Sequence, residues 1–275
     1  MAIIFVSGKQ SAVEFRQGLY DTNSEIQTAI NDVANGRVDS LTFGSTTKCE
    51  APATGGPPVI SNTIISSNKQ GANGGKLGCV FLGKVLQFKV SEFGSESAFY
   101  FANFSLAGRQ VNSAGSAVTS FSEANPTVIF PIAGRSNKDL TVTKRFQSSL
   151  ESTAAYLCSG TGCVTRTSIG AVGFFGSFNP ALGSATGAAQ SGSQTVTTAV
   201  IPGSVYGASR SSTAGLINAN TRNITGTNIV SDGKYVLLCF QNNTKKGYIT
   251  IGGINGQQFT TQVKTGSPIP VVPSC

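Results

Sequence analysis

From Phe15 onward the apolar residues Phe15, Leu19, Ile26, Ile30 and Val33 recur at steps of three, four or seven, with Thr22 filling the gap. That spacing places them on one face of an α-helix. Val6, Ala12 and Val13 carry the pattern back toward the start, and Asn35-Gly36 ends it. The prediction is one leading helix of about thirty residues, roughly 45 Å long at 1.5 Å per residue. Gly18 is a weak point near its middle, and Thr22-x-x-Glu25 suits a capping box. A kink or restart between Tyr20 and Asn23 is therefore the alternative to a continuous helix.

Beyond the helix the pattern shifts to short strand-like runs separated by Gly, Pro, Asn and Ser. Strands are predicted at Leu77–Leu82, Val85–Val90, Ser97–Leu106, Thr127–Ile132 and Leu140–Phe146. In the second half they are predicted at Val164–Phe175, Gln194–Ile201, Lys234–Gln241, Gly247–Ile251 and Gln257–Lys264. Tyr235–Phe240 is nearly all apolar, as a central strand is, and the polar run Asn242–Lys246 turns it into a hairpin with Tyr248–Ile251. Residues 44–75, 107–126 and 183–194 read as loops, rich in Gly, Ser, Pro or Ala.

Composition sharpens this into an α+β chain dominated by strands. Only 12% of residues are charged, while 33 glycines and many Ser, Thr and Asn favour turns and strands over surface helices. The formal charge of +8 attracts anionic partners, DNA and acidic surfaces among them, without choosing between them. No apolar run is long enough to cross a membrane, and no charged stretch precedes an apolar one as in a signal peptide. Met1-Ala2 ahead of Ile3-Ile4-Phe5-Val6 reads as a start joined to the end of a longer apolar segment.

Six cysteines fall at Cys49, Cys79, Cys158, Cys163, Cys239 and Cys275, with no Cys-x-x-Cys pair and no His in the chain. Zinc is poorly served by such a set. Sequential pairing, 49 with 79, 158 with 163 and 239 with 275, is the simplest of the fifteen connectivities, set against six buried free thiols. Bridges place the chain in an oxidising compartment. Each loop of about thirty residues closed this way adds roughly 3 to 4 kcal/mol on the chain-entropy model.

Residues 3 to 36, IIFVSGKQSAVEFRQGLYDTNSEIQTAINDVANG, resemble the stretch that follows the membrane segment of type IV pilins and type II secretion pseudopilins. Residues 235 to 263, YVLLCFQNNTKKGYITIGGINGQQFTTQV, are similar to the closing hairpin of H-type minor pseudopilins. Together they cover about a quarter of the chain. The resemblance implies a long N-terminal helix (1–36) packed on antiparallel sheet, with a disulfide-tied loop and sheet (37–146) and a closing hairpin with a disulfide-tied tail (234–275). Residues 147–233 exceed the usual pilin body and read as an inserted or additional β-rich region, which favours a minor or tip subunit. The prepilin peptidase site is absent, so filament membership is inferred through an upstream segment. The resemblance also implies an extracellular filament or cell-surface location, a precursor in the inner membrane, and a helix face at Phe15, Leu19, Ile26, Ile30 and Val33 that is shared between the chain's own sheet and other pilin subunits. Its further partners are a host or target cell surface, or DNA.

Catalysis finds little support. Without His the usual Ser-His-Asp and Cys-His nucleophiles are excluded. Glu92 and Glu96 are the closest carboxylates outside the helix and read as flanking a turn rather than as a glycosidase pair. The Gly160-Thr161-Gly162 and Gly252–Gly256 runs lack the Gly-Lys-Ser/Thr of a phosphate loop. No cofactor or metal is expected. Lys144, Arg145, Arg166, Arg210, Arg222, Lys245 and Lys246 are the basic residues available to a nucleic-acid patch, with Tyr206 or Phe240 for stacking. A structural filament subunit is thus the leading expectation, and an extracellular binding module, a DNA-uptake receptor or adhesin, is the alternative.

Overall fold

The computed structural model describes residues 2–35, 48–50, 57–61, 79–109, 112, 114, 116–130, 141–159, 162–176, 196–202, 206–221, 229–230, 233–242, 245–252 and 260–265. Helix α1 runs unbroken from Ala2 to Ala34. Strands β1 (Lys48–Glu50) and β2 (Val59–Ser61) form a small antiparallel ribbon within the stretch expected to be loop. Then come β3 (Cys79–Phe88), a nine-residue 3-10 segment (Ser91–Phe99), β4 (Tyr100–Arg109), the single-turn helix α2 (Phe121–Ala124), β5 (Thr127–Val128) and β6 (Val142–Arg145). The second half adds β7 (Glu151–Ser159), β8 (Gly162–Gly176), β9 (Val196–Pro202), helix α3 (Arg210–Thr221), β10 (Lys234–Asn242), β11 (Lys245–Gly252) and β12 (Thr260–Thr265). The chain is therefore an α+β protein with an N-terminal helix and antiparallel sheet.

Ten strands join in one antiparallel sheet whose main path is β12-β11-β10-β7-β8-β3-β4-β5, with β6 on the outer edge of β4 and β9 beside β8. The long strand β8 holds the two halves together. Its first residues pair with β7, and its later ones pair with β9 on one edge and β3 on the other. The two predicted runs before residue 90 are one strand, bulged between Phe81 and Gly83. A Cβ at Gly83 would lie 2.1 Å from the Phe174 carbonyl oxygen, so the bulge depends on the missing side chain.

The predicted apolar face of α1 does what its spacing requires. Phe15, Leu19, Ile26, Ile30 and Val33 are buried with Ala29 against Leu86, Phe88, Val172, Phe174, Val236, Leu238, Phe240 and Ile249 of the sheet. All five therefore serve the chain's own core, leaving any contact with a neighbour to the opposite face. Strand β10 alternates cleanly: Val236, Leu238 and Phe240 meet α1, whereas Leu237 and Cys239 join Tyr156, Cys158 and Cys163 on the far side. A third cluster packs Phe104, Leu106, Phe175 and Ile201 under Ala214 and Ile217 of α3.

Gly18 does not kink the helix. Its side faces the 3-10 turn at Gln147–Ser149, where a Cβ would sit 2.9 Å from the Gln147 carbonyl oxygen. Thr22 satisfies its buried hydroxyl on the Gly18 carbonyl at 2.8 Å instead of capping a new helix. Gly247 plays the matching part on the sheet, where a Cβ would come within 2.6 Å of Leu19 Cδ1. Polar clamps then fix the helix along its length. Lys245 Nζ donates to Ser11 Oγ at 2.6 Å, Gln27 Nε2 to Thr261 Oγ1 at 2.6 Å, and Lys84 pairs with Asp32 beneath the last helical turns.

The Lys84–Asp32 pair yields the first test, because the lysine is only 3% exposed. Removing one partner of a buried pair strips the other charge of much of its compensation. Asp32→Ala is expected to lower stability by about 3 kcal/mol in urea unfolding, and Lys84→Met combined with Asp32→Leu by less than half of that. A loss below about 1 kcal/mol for Asp32→Ala would mean that solvent already neutralises the pair.

Candidate functional site

The fold brings three of the seven basic candidates, Lys144, Arg145 and Arg210, together at strand β6. Lys144 Nζ reaches both carboxylate oxygens of Glu25 at 2.7 Å. Arg145 lies over the rings of Phe99 and Tyr100, at 5.3 and 5.8 Å, with Glu96 3.9 Å away. Arg210, at the start of α3, donates from Nε to Glu92 Oε2 at 2.5 Å, touches Thr143 and covers the Phe130 ring. Every cation of this group therefore faces a carboxylate, so the cluster presents little net positive field. Lys245 is engaged with Ser11, and Lys246 is exposed on β11. The Arg166 side chain and Arg222 lie outside the described residues.

The aromatic residues expected to stack on bases are not free to do so. Phe240 is buried and packs edge-on against Phe146. Tyr206 donates to or accepts from Ser152 Oγ at 3.1 Å, with Lys89 over its ring. Glu92 and Glu96 face two different guanidinium groups and do not converge on a shared space. Among the described residues no group of three His, Cys, Asp or Glu is placed to hold a metal ion, and no helix is long and apolar enough to cross a membrane.

Cys158 and Cys163 are bonded, closing the β7–β8 turn, and Tyr235 OH lies 3.8 Å from Cys163 Sγ. Burial, with Tyr248 nearby, holds the Tyr235 hydroxyl above its ordinary range. Cys239 is also in a disulfide, and its sulfur is buried in the sheet face away from α1. The side chains of Cys49, Cys79 and Cys275, and with them the other two expected bridges, lie outside the described residues.

What the sequence reading passed over is the outer face of α1. Val13 is 65% exposed and Tyr20 57% exposed, one heptad apart and opposite the buried stripe. Gln10, Glu14, Arg16, Gln17 and Ser24 are exposed around them. Gln10 Nε2 donates to Glu14 at 3.2 Å and Gln17 Nε2 to Asp21 at 2.7 Å. Val13, enlisted in the sequence to prolong the apolar face, stands away from it. The signal was the seven-residue spacing of two large apolar residues outside the core stripe. Compared with family models, curated proteins and solved structures, the chain matches none.

Two outcomes follow from these environments. The pairing of Lys144, Arg145 and Arg210 predicts that DNA binding, read by mobility shift across salt, has a shallow slope, and that joint Glu25→Gln, Glu92→Gln and Glu96→Gln steepens it by releasing three cations. A steep slope in the unaltered chain would contradict that. Burial pushes the Tyr206 hydroxyl up to about 12, whereas an unfolded tyrosine titrates near 10. Its contribution is complete below pH 10 and lost as pH rises toward 12, by roughly 2 kcal/mol. Tyr206→Phe should flatten that alkaline loss in pH-dependent unfolding; an unchanged profile would assign the loss to other groups.

Proposed function

We propose that the chain is a structural subunit, of the minor or tip kind, of a type IV pilus or related filament serving surface attachment or motility. The observation that carries this reading is a helix of 33 residues with one apolar face buried and two large apolar residues, Val13 and Tyr20, exposed on its otherwise polar outer face. One face is fully engaged by the chain's own sheet, and the other sets Val13 and Tyr20 into solvent. Large apolar groups repeated at heptad spacing on an outer helix face mark a surface for another helix. The sheet, held to the helix by Lys245, Gln27 and Lys84, then forms a rigid head, and its electrically balanced β6 edge leaves adhesion as a better use than polyanion capture.

The test is immunogold electron microscopy of producing cells with antibodies raised against this chain. Label on thin surface filaments, at their ends or at intervals, is the expected result, and Tyr20→Glu should reduce it about tenfold. Recovery of the chain only as free secreted protein, with every filament unlabelled, would contradict the reading.

A further inference from the structure

Helix α1 bears on one short segment of the sheet at two points. Glu25 meets Lys144 of β6 at 2.7 Å, and Gly18, seven residues earlier and about 10.5 Å back along the helix, abuts the Gln147–Ser149 turn. That turn has an unfavourable backbone. Ser148 (φ 57°, ψ 34°) and Ser149 (φ 53°) are consecutive left-handed residues, and neither is glycine. The conformation is imposed by its two anchors. Phe146, stacked on Phe101 at 5.1 Å and edge-on to Phe240, and Leu150 are both buried, with only the three residues of the turn between them. Asn242 Nδ2 donates to the Ser148 carbonyl at 2.8 Å, and the Phe146 amide donates to the Phe99 carbonyl at 2.8 Å, so the turn is continuous with the β6–β4 ladder. Among the described residues β6 pairs only with β4, and its Arg145 covers the half-buried rings of Phe99 and Tyr100.

We propose that residues 142–149 form a strap latched by α1: the docked helix keeps the turn in its left-handed form, and displacement of α1 at Gly18 lets the turn relax and frees β6 from β4. Backbone strain favours release, because a turn that relaxes to right-handed backbone no longer sets Phe146 and Leu150 into the core together. The fit at Gly18 has no slack, since a Cβ there would lie 2.9 Å from the Gln147 carbonyl oxygen. The exposed Lys144–Glu25 pair is weak by itself, yet it registers the same two elements at the other end of the strap. Release lifts Arg145 from Phe99 and Tyr100 and opens the outer edge of β4. The position of α1 thereby governs whether an aromatic edge with free backbone hydrogen-bonding groups is covered. These contacts all lie within one chain, so the inference stands apart from the filament reading.

Hydrogen–deuterium exchange on the full chain carrying Gly18→Ala tests this. Alanine strengthens α1 as a helix, so a loss of protection does not come from the helix itself. Amides of residues 142–146 should exchange about tenfold faster, whereas those of residues 247–251 in β11, which also lies under α1, should stay within about twofold. Adding Ser148→Gly and Ser149→Gly, which accept left-handed backbone freely, should bring residues 142–146 back to within about threefold of the unaltered chain. Where Gly18→Ala does not fold, Glu25→Gln supplies the second reading, with exchange about threefold faster at residues 142–146 alone. Unchanged exchange at residues 142–146, equal acceleration of both stretches, or a glycine pair that restores nothing overturns the latch.

Discussion

The fold depends on the docking of α1 across one face of the sheet. Phe15, Leu19, Ile26, Ala29, Ile30 and Val33 fill the hollow between β3, β8, β10 and β11, and without them Leu86, Phe174, Val236, Leu238 and Phe240 would face water. Burying side chains of this size contributes roughly 10 kcal/mol gross, comparable with the net stability of a whole domain. The close approaches at Gly18 and Gly247 let the helix lie against the backbone, and the Lys84–Asp32 pair fixes its far end. Once one face is held this tightly, the opposite face is fixed in orientation as well. That is how a packing constraint defines Val13, Arg16 and Tyr20 as a presented surface.

Elements whose side chains are large could be read directly from the sequence. The helix, its end near Asn35, strand β8, and the β10–β11 hairpin all carry Ile, Leu, Val or Phe at the period of their structure. What escaped is built from small residues. Strand β7 alternates Ser152, Ala154, Tyr156 and Cys158 against its neighbours, so little hydrophobic contrast marks it, yet it lies at the centre of the sheet. Helix α3, RSSTAGLINANT, buries only Thr213, Ala214, Ile217 and Thr221. Its one local mark is Ser209, whose hydroxyl accepts from the Ser212 backbone at 3.3 Å. Gly18 was legible as an exception but not in its role, because the carbonyl it makes room for is 129 positions away at Gln147.

The candidate surface was hidden for a different reason. Scattered cations draw attention to nucleic acid, and a count of charges cannot show that Glu25, Glu92 and Glu96 fold onto Lys144, Arg210 and Arg145. The overall excess of +8 consequently says less about partners than the local balance does. On α1 the reverse holds. A short run of exposed residues, modest in composition, becomes ordered only when the buried stripe shows which way the helix faces.

In the proposed filament, α1 would offer one face to its own sheet and the other to a neighbour. The most direct measurement of that arrangement is the spin–spin distance between nitroxides attached at residue 20 in the assembled protein, with a label at residue 246 as a reference on the sheet. Labels at residue 20 from adjacent copies should lie within about 15 Å, since packed helix axes run roughly 8 to 10 Å apart, whereas those at residue 246 should lie further apart. Residue-20 labels no closer than those on the sheet would contradict the claim and place the contact between copies elsewhere on the molecule.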